Sequence, residues 1–147
     1  MEASGKLYET DGSAWALAQA ELLRARRWDK IDVENVAEEI EDVARSERRE
    51  IRSRLVILLA HLAKWDAQPA CRSVSWESTI AEQRVQIESV LDESPSLRPS
   101  LPDLVVAVWP RAVVLASKQS QLSKDRFDDR CPWRLDQVLD SDFLPGG

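Results

Sequence analysis

Apolar residues recur along this chain at steps of three and four nearly throughout, the period of an amphipathic helix, and no run alternates at period two for long enough to make a strand. Over 12–26, Trp15, Leu17, Ala18, Leu22 and Leu23 lean to one side behind Asp11, whose carboxylate can cap the helix start. Arg24, Arg26 and Arg27 close that helix, where cations suit the macrodipole. A connector, Trp28 to Ile31, leads to Asp32, a second N-cap with Glu34 in the turn behind it. Nothing then breaks the pattern before Pro69. Val33, Val36, Ala37, Ile40, Val43, Ala44, Ile51, Leu55, Leu58, Leu62 and Trp65 predict a single helix over 33–66, roughly 50 Å long at 1.5 Å per residue.

Beyond Pro69, Ser73 or Ser75 can cap a helix over 76–92, whose stripe is Trp76, Ile80, Gln83, Ile87, Val90 and Leu91. Gln83 stands where a Leu would be expected. Residues 94–99 are a break, and Pro102 suits the first turn of a helix running to about 122. Pro110 lies inside that helix, so a kink or restart is expected between Val106 and Arg111. The remainder is loop plus a short helix near 132–140, folding back as a lid on Phe127, Trp133, Leu135, Val138, Leu139, Phe143 and Leu144. The expected architecture is all-α: one domain over 1–147, an antiparallel helical bundle of four main helices around one long central helix, with a short C-terminal helix.

Composition divides the long helix into zones. Five acids (Glu34, Glu38, Glu39, Glu41, Asp42) precede five arginines (Arg45, Arg48, Arg49, Arg52, Arg54), and residues 55–65 are apolar almost all round. A segment apolar on every face is enclosed by other helices, so His61 is expected to be largely buried. Glu47 occupies the seam between Val43/Ala44 and Ile51; either it pairs with an arginine or the two halves of the helix meet different partners there.

With 147 residues, 44% apolar and 31% charged, the chain excludes disordered and low-complexity classes, and its net charge of −6 opposes bulk attraction to nucleic acid or anionic membrane. Six of the nine aromatic residues are Trp, a large packing load whose indole N–H groups need partners. Cys71 and Cys131 stand far apart with no CxxC or Cys/His cluster, so free thiols and no metal or other cofactor are expected. The opening MEASGKLYETD has no basic region leading into an apolar stretch, and the longest unbroken apolar run is far short of a membrane span; the expected compartment is the cytoplasm.

The residues TyrGluThrAsp with AlaTrp at 8–15, GluAsnValAlaGluGluIleGlu at 34–41, ArgSerGluArgArg at 45–49, LeuLeuAlaHisLeuAlaLysTrp at 58–65 and GlnPro at 68–69 occur in this order. SerTrp at 75–76, ThrIle with GlnArg at 79–84, SerProSerLeuArgPro at 94–99, CysPro at 131–132 and the AspPheLeuPro tail follow them. Over about residues 8–145 the chain resembles a bacterial domain-of-unknown-function family, number 29. That resemblance implies an all-helical, cytoplasmic bacterial protein with no assigned activity.

Candidate chemistry is sparse. There is no Gly-rich phosphate loop, no G-x-S-x-G, and no Glu-x-x-His pair of the di-iron bundles, since Leu58 stands three before the single His61. If the helix over 76–92 returns antiparallel, Trp65 comes level with Trp76, His61 with Ile80 and Leu58 with Gln83. His61, Lys64 and Gln83, with Trp65 and Trp76 beside them, could then form a pocket for a small anionic ligand. The leading reading is a non-enzymatic helical interaction module, binding a protein partner through a surface that includes Arg45, Arg48, Arg49 and Arg52. Nucleic-acid contact through arginine zone 45–54 is a third reading, opposed by Glu47, Glu50 and the acidic total.

Overall fold

The structure, a computed structural model, describes residues 2–146; the two ends of the expected 1–147 domain, residues 1 and 147, lie outside them. It is all-α. Among the described residues six helices follow in order: α1 (Glu2–Thr10), α2 (Gly12–Arg24), α3 (Val33–Ala67), α4 (Val74–Glu93), α5 (Leu101–Ser120) and α6 (Leu135–Leu139), with short 3-10 turns at Pro69–Cys71, Pro95–Ser100 and Lys124–Arg126. The chain divides into two compact units between Ser46 and Glu47, so α3 contributes to both.

In the N-terminal unit, Asp11 ends α1 and starts α2: its backbone N–H donates to the Leu7 carbonyl at 2.7 Å and its carboxylate accepts from the Ala14 N–H at 3.0 Å. The sequence pattern does not predict α1, because EASGKLYET has only Leu7 and Tyr8 as large apolar residues and Gly5 inside it. What fixes α1 is a polar knot. The Asp32 carboxylate accepts from the Trp15 indole at 3.2 Å, the Asn35 amide at 2.8 Å and the Ser4 hydroxyl at 3.3 Å. Gln19 closes the ring, accepting from the Asp32 N–H at 2.9 Å and donating to Ser4 at 3.2 Å. Near the other end of α1 the Tyr8 hydroxyl donates to Glu39 at 2.6 Å, and its ring meets Trp15 edge to face at 4.7 Å.

The C-terminal unit is built on apolar burial. Ile51, Leu55, Leu58, Leu59 and Leu62 of α3 are fully buried with Ile80, Ile87 and Leu91 of α4, Leu101 and Val108 of α5, and Val138 of α6. Ser73 caps α4, its hydroxyl accepting from the Trp76 N–H at 3.2 Å. Side-chain bonds give the direction of α4: Glu47 accepts from the Ser94 hydroxyl, Arg54 donates to Gln83 at 3.3 Å, and Lys64 lies against Trp76. Position on α4 falls as position on α3 rises, the antiparallel arrangement a short connection favours.

Helix α5 runs without interruption through Pro110, so the restart allowed by the sequence does not occur. The physical reason is location. Proline leaves the carbonyl of Val106 without its usual donor, and both residues are exposed, where water can supply the missing bond. Gln121, left-handed at φ 61°, then ends the helix.

Candidate functional site

Three of the residues singled out from sequence come together at the C-terminal end of α3. His61 Nδ1 lies 2.8 Å from the Ile57 carbonyl, and because a carbonyl only accepts, Nδ1 carries the proton and Nε2 is left as an acceptor. Lys64 Nζ stands 3.5 Å from that Nε2, donates to the Gln119 side-chain oxygen at 2.6 Å, and sits 4.9 Å from the centroid of the Trp76 ring. Lys64 is only 4% exposed, and burial pushes its ammonium below the ordinary lysine value. His61 is half-buried; burial first, and the Lys64 charge as well, hold its imidazole below its ordinary value against the opposing pull of the Ile57 carbonyl. A neutral imidazole whose lone pair receives an ammonium proton is already satisfied.

Gln83 is placed elsewhere. It is buried, but the group it accepts from is Arg54, seven positions and roughly 10 Å before His61 along α3. Trp65 is also engaged on its own: the Arg72 guanidinium covers its ring at 5.1 Å while Arg72 Nε donates to the Trp65 carbonyl at 2.8 Å and Nη2 to the Pro145 carbonyl at 3.3 Å. Arg72 is not legible in sequence as a site residue, since its Pro145 partner lies 73 positions away.

Arg84 is a second buried cation that the sequence pattern does not single out. It donates to the carbonyls of Val138 at 2.8 Å and Gln137 at 3.4 Å, tying α6 to α4. Burial lowers its pKa, with the Asp140 charge acting the other way.

The arginines of the middle zone separate by unit. Arg45, in the N-terminal unit, is bound by Glu38 at 2.8 Å, Asp42 at 3.4 Å and Glu41 at 3.5 Å. Arg49 and Arg52, in the C-terminal unit, line a cleft of about 490 Å³ with Ser53, Val56 and, from α5, Arg111. Arg48 is exposed, and among the described residues neither Arg48, Arg52 nor Arg111 is in an ion pair. Arg111 is the member that sequence could not supply: it is remote in the chain and only the α3/α5 packing sets it beside Arg52. An apolar groove of about 470 Å³, walled by Val105, Trp109, Cys131 and Trp133, lies elsewhere on α5. Cys71 and Cys131 are both free thiols, and burial raises the Cys131 pKa.

With this geometry in place, comparison with known proteins gives one result: the family model described as domain of unknown function DUF29 matches residues 7–144. The chain belongs to this family. No curated protein and no solved structure gives a match. In this DUF29 protein the stretch Pro95–Ser120 has the length and mean hydropathy, 1.3, of a membrane span, and 44% of its apolar window is buried inside the protein.

Proposed function

We propose that this DUF29 protein is a non-enzymatic interaction module whose C-terminal unit docks an acidic segment of a protein partner. The observation that carries the reading is the arginine cleft: Arg52 and Arg111 converge from two helices on a space of about 490 Å³ in a chain whose net charge is −6. Cations gathered against the sign of the whole molecule focus attraction on one place and set the register of an anionic partner. Arginine suits that task, because its planar fork binds a carboxylate through two parallel hydrogen bonds. The His61 region supports the pocket alternative less well. Lys64 is sealed, Nε2 of His61 is occupied, and Gln83 serves Arg54 instead.

The test is titration of the full chain with a fluorescent oligoglutamate peptide and, in parallel, with a single-stranded RNA of equal charge. Saturable peptide binding is expected, weakened at least about tenfold by the double charge reversal Arg52→Glu, Arg111→Glu and unchanged by His61→Ala; tenfold is about 1.4 kcal/mol. Tighter binding of the RNA would move the assignment to nucleic acid. Absence of peptide binding would sink the proposal.

A further inference from the structure

The N-terminal unit carries a different surface, independent of the arginine cleft. On the first half of α3, Val33, Ile40 and Val43 are 62%, 66% and 63% exposed, and Val36 between them is half-buried. Their spacing of three, four and three places all four on one stripe, the a and d positions of two heptads, about 15 Å long. Helices α1 and α2 do not cover it. Their bonds to α3 go to Asp32, Asn35 and Glu39, which point to a neighbouring face about a quarter turn away. Ala37 and Ala44, both exposed, edge the stripe with side chains small enough for another helix backbone to come close.

The rim of the stripe has one sign of charge. Asp32 and Glu39 border one edge, Glu34 and Glu41 stand beyond Ala37 and Ala44 on the other side, and residues 32–46 hold six acids against the single Arg45. That asymmetry selects the occupant. Pairing the stripe with itself antiparallel sets Asp32 and Glu39 against their own copies along the charged edge, which g-type like charges oppose, and neither orientation supplies a cation to that edge. A helix with an apolar seam flanked by Lys and Arg meets both requirements, because apolar side chains cover the valines and Ile40 while its cations face the acidic rim. We infer that the N-terminal half of α3 is a docking face for a basic amphipathic helix of a partner protein.

The probe is a synthetic three-heptad peptide with Leu at a and d and Lys at e and g, compared on the full chain with its twin carrying Glu at e and g. The Lys peptide is expected to bind and become helical, and the Glu peptide is expected not to bind. Ile40→Asp with Val43→Asp, both at exposed positions, is expected to weaken the Lys peptide at least tenfold with the circular dichroism spectrum unchanged. Attachment by charge alone would instead be strengthened by the two added carboxylates, and that result would overturn the inference. Equal binding of the two peptides, or of neither, would overturn it as well. A wild-type chain that sediments as a dimer, dissociated by the same substitutions, would assign the stripe to a second copy. The Arg52→Glu, Arg111→Glu variant is expected to bind the Lys peptide as wild type does, so the failure of either site leaves the other standing.

Discussion

The two units draw on one continuous helix and are held together by different chemistry. Over residues 55–65, α3 is enclosed: Leu55, Leu58, Leu59 and Leu62 lose all contact with water, and even its lysine is buried. Before Ser46, the same helix with the same apolar period exposes Val33, Ile40 and Val43, while Trp15 and Ile31 are the buried apolar residues of the unit among those described. Cohesion there comes from the Asp32 knot, in which each polar group finds a partner, rather than from excluded apolar area. Helical period therefore reports which residues share a face, and not whether that face has an occupant. A face left open on a well-formed helix is where a partner can bind.

The largest expected difference lies in the response to truncation. Leu62→Ala in the C-terminal unit is expected to cost about 2–5 kcal/mol, the lost transfer energy plus a cavity that enclosing helices cannot close. Ile40→Ala removes as large a side chain from the same helix and is expected to stay within about 0.5 kcal/mol, as for other exposed positions. Urea unfolding followed by circular dichroism checks both. A comparable loss in the two variants would mean that the stripe is covered in solution, and the contrast between the units would fail.

An intermediate effect is expected at Asp32. Asp32→Ala removes the acceptor shared by Asn35, Trp15 and Ser4, at a cost of about 1–2 kcal/mol, the range for losing a helix N-cap. The loss should be local. Native-state hydrogen exchange is expected to rise across α1 and α2 and to leave residues 58–63 protected, whereas a uniform rise would show that the two units unfold as one. The same carboxylate gives a pH dependence: the Asn35 amide foremost, and then the Trp15 indole, hold its pKa below the ordinary value, while burial opposes them. A lowered native pKa stabilises the fold above the unfolded value near 3.8, and that share is lost as pH falls through the native pKa.

Much of this fold is legible in the amino-acid sequence. Asp11, Asp32 and Ser73 as caps, Pro69 as a stop and the steps of three and four place α2, α3 and α4 within a few residues, because these signals are local and each has a backbone reason. Glu47, an acid on the seam, marks where the unit boundary falls. The antiparallel register of α3 and α4 expected from a short connection is also close, bringing Lys64 beside Trp76. What escapes the sequence is held by long-range polar bonds. Ser4 and Gln19 carry no pattern, and α1 exists because Asp32 and Glu39 receive it. The expected register levels Gln83 with Leu58, three residues before His61, but it is Arg54, a turn earlier still, that donates to Gln83. Arg111 joins Arg52 only through packing, as Arg72 joins Pro145.

The smallest effect is also the most selective, because Tyr8 is the single tyrosine of the chain and its ionisation reports one contact. Its hydroxyl donates to the Glu39 carboxylate, and chiefly for that reason, with burial adding to it, its pKa is pushed up to about 12 from the ordinary 10.0. A raised pKa on a group that is neutral when protonated means that the fold favours the phenol over the phenolate. That stabilisation is fully present below the unfolded value of 10.0 and is lost as pH rises towards about 12. Tyrosinate absorbance is therefore expected to develop with a midpoint near 12 in the intact chain and at lower pH in Glu39→Ala, where the acceptor and its charge are gone while burial, Glu38 and Asp42 remain. The C-terminal unit contains no tyrosine and cannot contaminate the signal. Should the intact chain titrate near 10 while its circular dichroism remains native, α1 would be undocked from α3 in solution, and the cohesion assigned to the N-terminal unit would have to rest on Asp32 alone.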